Sequence, residues 1–113
     1  MKINRIGFNP DYTEDAPTFE QVSELLGDAV LEFGTPWCGH CLAARPAIQE
    51  VLTEYSELSH IKLYDGKGKP LGRAFNVKLW PTLILLRNGK EVARLVRPLD
   101  ADAVHQLVSQ SKR

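Results

Sequence analysis

Residues 37–41 have the sequence Trp37-Cys38-Gly39-His40-Cys41 and contain both cysteines of the chain. Two thiols at this spacing can cycle between a dithiol and a disulfide with each other. The loop that they close is too small for the pair to stabilise a fold as a structural disulfide. The motif therefore predicts a redox site.

The motif lies where a predicted strand passes into a predicted helix. An apolar, strand-forming run at residues 29–33 precedes it, and apolar residues recur at helical spacing after it, as far as about Tyr55. A cysteine at the start of a helix faces unpaired backbone N–H groups and the positive end of the helix dipole, and both favour a thiolate. We therefore expect Cys38 to be the nucleophile. Cys41, one turn later on the same side, is expected to resolve a mixed disulfide.

The composition is that of one soluble globular domain spanning residues 1–113. The 113 residues are 43% hydrophobic and 25% charged with a formal net charge of zero, which gives no sign of a nucleic-acid or membrane surface. The first fifteen residues lack the apolar segment of a secretory signal, and no apolar run approaches the roughly 20 residues that span a bilayer. We therefore expect a cytoplasmic monomer without nucleic-acid or membrane partners, and without a cofactor or bound metal.

Local signals predict that helices and strands alternate along the chain. Thr18 and Gln21 fit a capping box for a first helix whose apolar face runs to Leu26, with Gly27 as its C-terminal cap. Further elements are predicted as follows: a strand at 2–8, a loop at 9–17, a strand at 61–64, a helical stretch at 71–75, strands at 82–86 and 91–96 joined by Asn88-Gly89, and a final helix capped by Asp100. This order implies an α/β fold with a mixed central sheet of four to five strands and helices on both faces.

The chain resembles the thioredoxin family over nearly its whole length. Its WCGHC sequence matches the WCxxC active site of the family, and Trp80-Pro81-Thr82 matches the family's cis-proline loop. Pro46 matches the proline that kinks the active-site helix. Glu32 and Lys62 stand at the positions of the buried acid and of the lysine that partners it. The resemblance implies the thioredoxin fold.

The same resemblance implies a thiol–disulfide oxidoreductase that acts on protein disulfides through a mixed-disulfide intermediate. Glu32 in an apolar strand would be costly to bury as a carboxylate, so it would accept the Cys41 proton, directly or through water. Lys62 would tune that acid. The implied partners are protein disulfide substrates and a recycling enzyme of the thioredoxin-reductase type.

A substrate-binding surface is implied around the motif and the proline loop. Pro81, if its peptide bond is cis, would set the backbone of the adjacent residue against the disulfide. The N–H and C=O of Trp80 would then pair with an extended substrate segment. The residues implied for this surface are Trp37, Gly39, His40, Trp80 and Pro81.

Several residues depart from the family's usual pattern. Gly39-His40 is typical of protein disulfide isomerases, and an imidazole beside the nucleophile would stabilise its thiolate and raise the reduction potential. Gly34 stands where an aromatic residue is usual, and Trp80 stands where a smaller one is usual. Arg97 replaces a glycine near the site and would restrict partners if it is more than a solvated charge. These departures predict a specialised member of the family.

Two other interpretations of these residues stay open. In one, Cys38 and Cys41 are half of a zinc site completed by histidines. The chain's histidines, His40, His60 and His105, are scattered, and the last two are expected at the surface.

The other interpretation is a binding protein rather than an enzyme. A thioredoxin-like chaperone or assembly factor would hold a specific client protein between Trp37 and Trp80.

Overall fold

The computed structural model describes residues 7–13 and 16–111, which contain four helices and four strands. In chain order the elements are α1 (Phe19–Ser23), β1 (Asp28–Gly34), α2 (Gly39–Glu54), β2 (Ser59–Tyr64), α3 (Pro70–Ala74), β3 (Thr82–Arg87), β4 (Lys90–Val96) and α4 (Ala101–Val108). The alternation of helices and strands expected from the sequence is confirmed. Helix α2 continues through Pro46, which has no N–H to donate within the helix.

The four strands form one mixed sheet in the order β2-β1-β3-β4. Strand β1 runs parallel to β2 and antiparallel to β3, and β3 and β4 form an antiparallel hairpin. In this register Glu32 lies beside Lys62, and Phe33 lies beside Thr82. The end of β1 and the start of β3 therefore lie side by side at the same edge of the sheet. The motif follows β1 there, and the proline loop precedes β3.

Helices cover both faces of the sheet. Val30 of β1 packs in one core cluster with residues of α2 and α4, whereas Leu31 and Phe33 pack in a second cluster with residues of α1 and α3. Because side chains alternate along a strand, Glu32 lies on the same face as Val30, beneath α2. This alternation places the buried acid and the active-site helix on one side of the sheet.

The first helix is shorter than expected. Its capping box between Thr18 and Gln21 is present, but the helix ends at Ser23, and Leu26 is 90% exposed. Gly27 binds the β3–β4 turn rather than capping α1: its N–H donates to Asn88 Oδ1 at 2.9 Å, and its carbonyl accepts from the Asn88 N–H at 2.9 Å.

The segment before α1 adds a short pairing at the outer edge of β2. The N–H of Thr13 donates to the carbonyl of Lys62 at 2.7 Å, and the N–H of Tyr64 donates to the carbonyl of Thr13 at 3.2 Å. The strand expected at 2–8 lies mostly outside the described residues, and Gly7 and Phe8 are not in a strand. The pairing at Thr13 holds its neighbour, Tyr12, against the sheet.

Candidate active site

Cys38 and Cys41 are free thiols at the start of α2. Cys38 is the N-cap residue and is half-buried, whereas Cys41 is 4% exposed. The backbone N–H of Cys41 donates to Cys38 Sγ at 3.3 Å. A substrate can therefore reach Cys38, while Cys41 is shielded behind it with its amide directed at the first sulfur.

Cys41 holds its proton tightly. Burial raises the pKa of its thiol from 9.0 to about 11, and a hydrogen bond with the Cys38 side chain acts in the same direction. Hydrogen bonds from the Thr35 backbone and the Tyr12 side chain oppose this rise, because they stabilise the thiolate. At neutral pH Cys41 is therefore a thiol that must lose its proton before it can attack.

The buried acid has a partner that the sequence did not suggest. His60, expected at the surface, is 0% exposed, and its Nε2 lies 2.8 Å from Glu32 Oε1. Its Nδ1 accepts the backbone N–H of Asn9 at 2.8 Å, so the ring hydrogen sits on Nε2 and is donated to the carboxylate. The expectation for His60 is therefore wrong, whereas His105 is exposed as expected.

Lys62 lies beside Glu32 in the register, but its short contacts are to the N-terminal segment. The ammonium donates to the Pro10 carbonyl at 3.4 Å and lies 4.5 Å from the centre of the Tyr12 ring. Burial lowers the pKa of Lys62, and the negative charge of Glu32 opposes that shift. Lys62 is therefore a buried cation that interacts with Glu32 through its charge. In the described part of the chain, its side-chain hydrogen bond is to Pro10 rather than to Glu32.

A cavity of about 90 Å³ lies beside the inner sulfur. Tyr12, Thr35, Cys41 and Lys62 are among the residues that line it. The Thr35 hydroxyl is buried and has no hydrogen-bond partner within the described part of the chain. This volume has room for ordered water beside Cys41.

The proline loop has the expected cis bond. The Trp80–Pro81 peptide is cis, and the Thr82 hydroxyl donates to the Leu79 carbonyl at 2.6 Å. Since Thr82 lies beside Phe33 in the sheet, this loop lies at the same edge as the motif.

Trp80 is fixed at both its ring and its carbonyl. The indole N–H donates to Asp65 Oδ2 at 2.8 Å. Nε of Arg97 donates to the Trp80 carbonyl at 2.8 Å, and the backbone N–H of Arg97 donates to the Pro81 carbonyl at 2.9 Å. Arg97 is thus a bound part of the loop rather than a solvated charge, and it already uses one acceptor position of the Trp80 carbonyl.

The remaining residues predicted to bind substrate are exposed around Cys38. Trp37 is 69% exposed and contacts the ring of Tyr64 edge-on at a centroid distance of 5.3 Å. Gly39 and His40 are exposed in the first turn of α2. They leave the nucleophile open on its solvent side.

Tyr12 lies near the sulfurs although it is not among the predicted site residues, because the sequence predicts a surface loop at residues 9–17. A Cβ on Gly34 would lie 2.5 Å from Cys41 Sγ and 3.0 Å from the Tyr12 hydroxyl. The one sequence signal for this arrangement is Gly34 itself, because a missing aromatic ring leaves space for another side chain.

None of the helices in residues 7–13 and 16–111 is both long and apolar enough to cross a membrane. Over the same ranges, no group of three or more His, Cys, Asp or Glu side chains is placed to hold a metal ion.

Comparison with known proteins gives consistent matches to one family. The family model named Thioredoxin matches residues 12–110. The solved structure of thioredoxin 2 from Pseudomonas aeruginosa PAO1 in its reduced form is 47% identical, with a TM-score of 0.80, over 88% of this chain and 92% of that one. This likeness confirms the expected thioredoxin fold.

Curated relatives agree with the structural match. Thioredoxin from Chlamydia muridarum is 34% identical over 85 residues, which cover 74% of this chain and 82% of the relative. Thioredoxin H2 from Arabidopsis thaliana is 30% identical over 78 residues, which cover 69% of this chain and 59% of the relative. This chain therefore spans less than two thirds of the plant protein's length.

Proposed function

The chain belongs to the thioredoxin family of thiol–disulfide oxidoreductases, and we propose that Cys38 and Cys41 carry this activity on protein disulfides. The observation that carries the proposal is the asymmetry of the pair. Cys38 caps a helix within reach of solvent, and Cys41 lies buried one turn later with its N–H 3.3 Å from Cys38 Sγ.

In the first step, the Cys38 thiolate attacks one sulfur of a substrate disulfide. A bond forms between Cys38 and that sulfur, the substrate S–S bond breaks, and the second substrate sulfur leaves as a thiolate that takes up a proton. The Cys41 N–H and the start of α2 stabilise negative charge on Cys38, which favours its reactive form.

In the second step, Cys41 loses its proton and attacks Cys38. The bond between Cys38 and the substrate breaks, the Cys38–Cys41 disulfide forms, and the substrate leaves with a thiol. Glu32 is proposed to take the Cys41 proton through water in the adjacent cavity. What supports this role is its burial beneath α2, together with its electrostatic effect on Tyr12 and Lys62, which line that cavity.

The substrate is proposed to lie across the exposed side of Cys38 and the proline loop. Trp37, Gly39 and His40 would contact it on one side, and Trp80 and Pro81 on the other. The Trp80 N–H and the free acceptor position of its carbonyl would pair with an extended substrate segment.

We infer that the enzyme reduces protein disulfides as a monomer in the cytosol and is recycled by a reductase of the thioredoxin-reductase type. Both cysteines lie in the motif, so none remains for the structural disulfides common in secreted domains. His40 would make the couple more oxidising than one with proline at that position.

The direct test is reduction of insulin by dithiothreitol, followed as turbidity. The wild-type protein should accelerate precipitation, and Cys38→Ser should reduce the rate to that of dithiothreitol alone. His105→Ala alters an exposed residue of α4, so it serves as the control and should match wild type. Equal rates for wild type and Cys38→Ser would overturn the proposal.

A client-binding role is the second candidate, and the exposure of Trp37 favours it. A holding protein should retain its client when both cysteines are changed to serine. Loss of client binding in the Cys38→Ser/Cys41→Ser variant would contradict the client-binding role and leave the oxidoreductase as the supported function.

A further inference from the structure

The resolving cysteine has a hydroxyl neighbour in this protein that comes from outside the motif. Tyr12 directly precedes Thr13, which pairs with the outer edge of β2. The Lys62 ammonium lies 4.5 Å from the centre of the Tyr12 ring. The edge-on contact with Tyr64, at a centroid distance of 6.1 Å, holds the ring from another side. The hydroxyl is therefore placed by the sheet edge and by two packed neighbours.

Gly34 makes room for this hydroxyl at the sulfur. A Cβ built on Gly34 would lie 2.5 Å from Cys41 Sγ and 3.0 Å from the Tyr12 oxygen. The first distance is too short for a carbon atom and the second is tighter than an ordinary contact, so both groups converge on the space that the missing side chain leaves. Tyr12, Cys41 and Lys62 also line the same cavity of about 90 Å³.

We propose that Tyr12 is a catalytic residue of the resolving step, whose hydroxyl donates a hydrogen bond to Cys41 Sγ and stabilises the attacking thiolate. This inference rests on the proposed function, because it assigns Cys41 the resolving role. Its chemical basis is that a hydrogen bond to an ionised group is stronger than one to the neutral group.

Tyr12 acts as a donor and not as the base. Burial raises the pKa of the Tyr12 hydroxyl far above its usual range, and the negative charges of Glu32 and Cys41 act in the same direction. The phenol therefore keeps its proton throughout. When Cys41 attacks Cys38 of the mixed disulfide, the Cys38–Cys41 bond forms, the bond from Cys38 to the substrate breaks, and the proton released by Cys41 is balanced by the one that the substrate thiolate gains.

The experiment is stopped-flow reaction of the reduced protein with excess Ellman's reagent, followed by release of the thionitrobenzoate ion. Attack by Cys38 gives a first phase whose rate depends on reagent concentration. Attack by Cys41 on the resulting mixed disulfide gives a second phase whose rate does not. The two chemical steps are thus read separately in one trace.

Tyr12→Phe should leave the first phase unchanged and slow the second phase at pH 7 by about tenfold, as expected for the loss of one hydrogen bond to a charged group. The pH midpoint of the second phase should move upward, and the two proteins should converge at pH values where Cys41 is fully ionised. A packing defect would slow the reaction without moving this midpoint.

Two further variants make the result specific. Tyr55→Phe removes a hydroxyl that pairs with His105 instead, so both of its phases should match wild type. Gly34→Ala adds a methyl group 2.5 Å from Cys41 Sγ and 3.0 Å from the Tyr12 hydroxyl, so it should displace these groups and slow the second phase as well.

Tyr12→Phe with an unchanged second phase and midpoint would overturn the role of Tyr12 and leave the proposed function intact. Tyr55→Phe with the same slowing would overturn it too. A wild-type trace without a concentration-independent second phase would instead contradict the proposed dithiol function.

Discussion

Nε2 of His60 lies 2.8 Å from Oε1 of Glu32 in a pair that solvent does not reach. The imidazole is oriented by the Asn9 N–H at its other nitrogen, so its Nε2 hydrogen is directed at the carboxylate. A buried acid needs such a donor, because an unpaired carboxylate in a protein interior costs several kcal/mol. In this chain the histidine on the neighbouring strand provides it.

His60→Leu should therefore destabilise the protein by about 3 kcal/mol or more, since it leaves a buried carboxylate without its donor. Denaturant unfolding at pH 7 measures this change in the free energy of unfolding. The double variant His60→Leu/Glu32→Leu should recover much of the loss. A loss in the free energy of unfolding below about 1 kcal/mol for His60→Leu would contradict this role, because the buried carboxylate would then not depend on the His60 donor.

Cys41 should make the protein less stable in alkaline solution. Its pKa is raised by burial from 9.0 to about 11, so between these values the folded state keeps a proton that the unfolded state has lost. Stability is fully present below about pH 9 and falls as the pH rises toward 11.

The measurement is the free energy of unfolding at pH 8 and pH 11 for wild type and Cys41→Ala. The wild-type protein should lose on the order of 2–3 kcal/mol more than the variant across this interval. The lowered pKa of Lys62 acts in the opposite direction and the raised pKa of Tyr12 in the same direction. Burial is the largest cause of both shifts and is present in both proteins, so the larger part of these two effects drops out of the comparison. Equal pH slopes would contradict the assignment to Cys41.

Arg97→Gly should open the proline loop to substrate. The residue has a φ of +50°, where glycine is favoured, and the variant loses the hydrogen bond to the Trp80 carbonyl, so stability should change by less than about 1 kcal/mol. The freed carbonyl should lower KM for insulin by about fivefold with little change in kcat. A KM equal to or higher than that of wild type would contradict a restricting role for Arg97.

His40→Pro should make the couple more reducing. Without the imidazole the Cys38 thiolate is less stable, so the reduced form loses stability and the potential falls by about 30 mV for one hydrogen bond. A titration against glutathione buffers measures this potential. His105→Ala, remote from the motif, should titrate like wild type, and an unchanged potential in His40→Pro would show that His40 does not tune the pair.

The sequence was sufficient wherever local chemistry determines the structure. The Thr18 capping box and the strand-to-helix setting of Cys38 both depend on a few neighbouring residues. The Asn88-Gly89 turn does too, because both residues adopt positive φ values that asparagine and glycine tolerate.

The sequence was insufficient where distant segments meet. His60 is a polar residue near the start of β2, and the approach of Asn9 and Glu32 makes its burial favourable. Tyr12 reaches Cys41 because Thr13 pairs with β2, a contact between segments far apart in the chain that no local pattern encodes. These two residues are the parts of the site for which spacing gave no signal.

Trapping the mixed-disulfide intermediate shows which cysteine attacks the substrate and which resolves; we expect Cys38 to attack and Cys41 to resolve. Cys41→Ser should accumulate a covalent adduct with a disulfide-containing protein substrate, seen by mass spectrometry and released by dithiothreitol. Cys38→Ser, in which the remaining thiol is buried, should form little or none. Adduct formation in Cys38→Ser at a yield equal to that in Cys41→Ser would contradict the assigned order of attack.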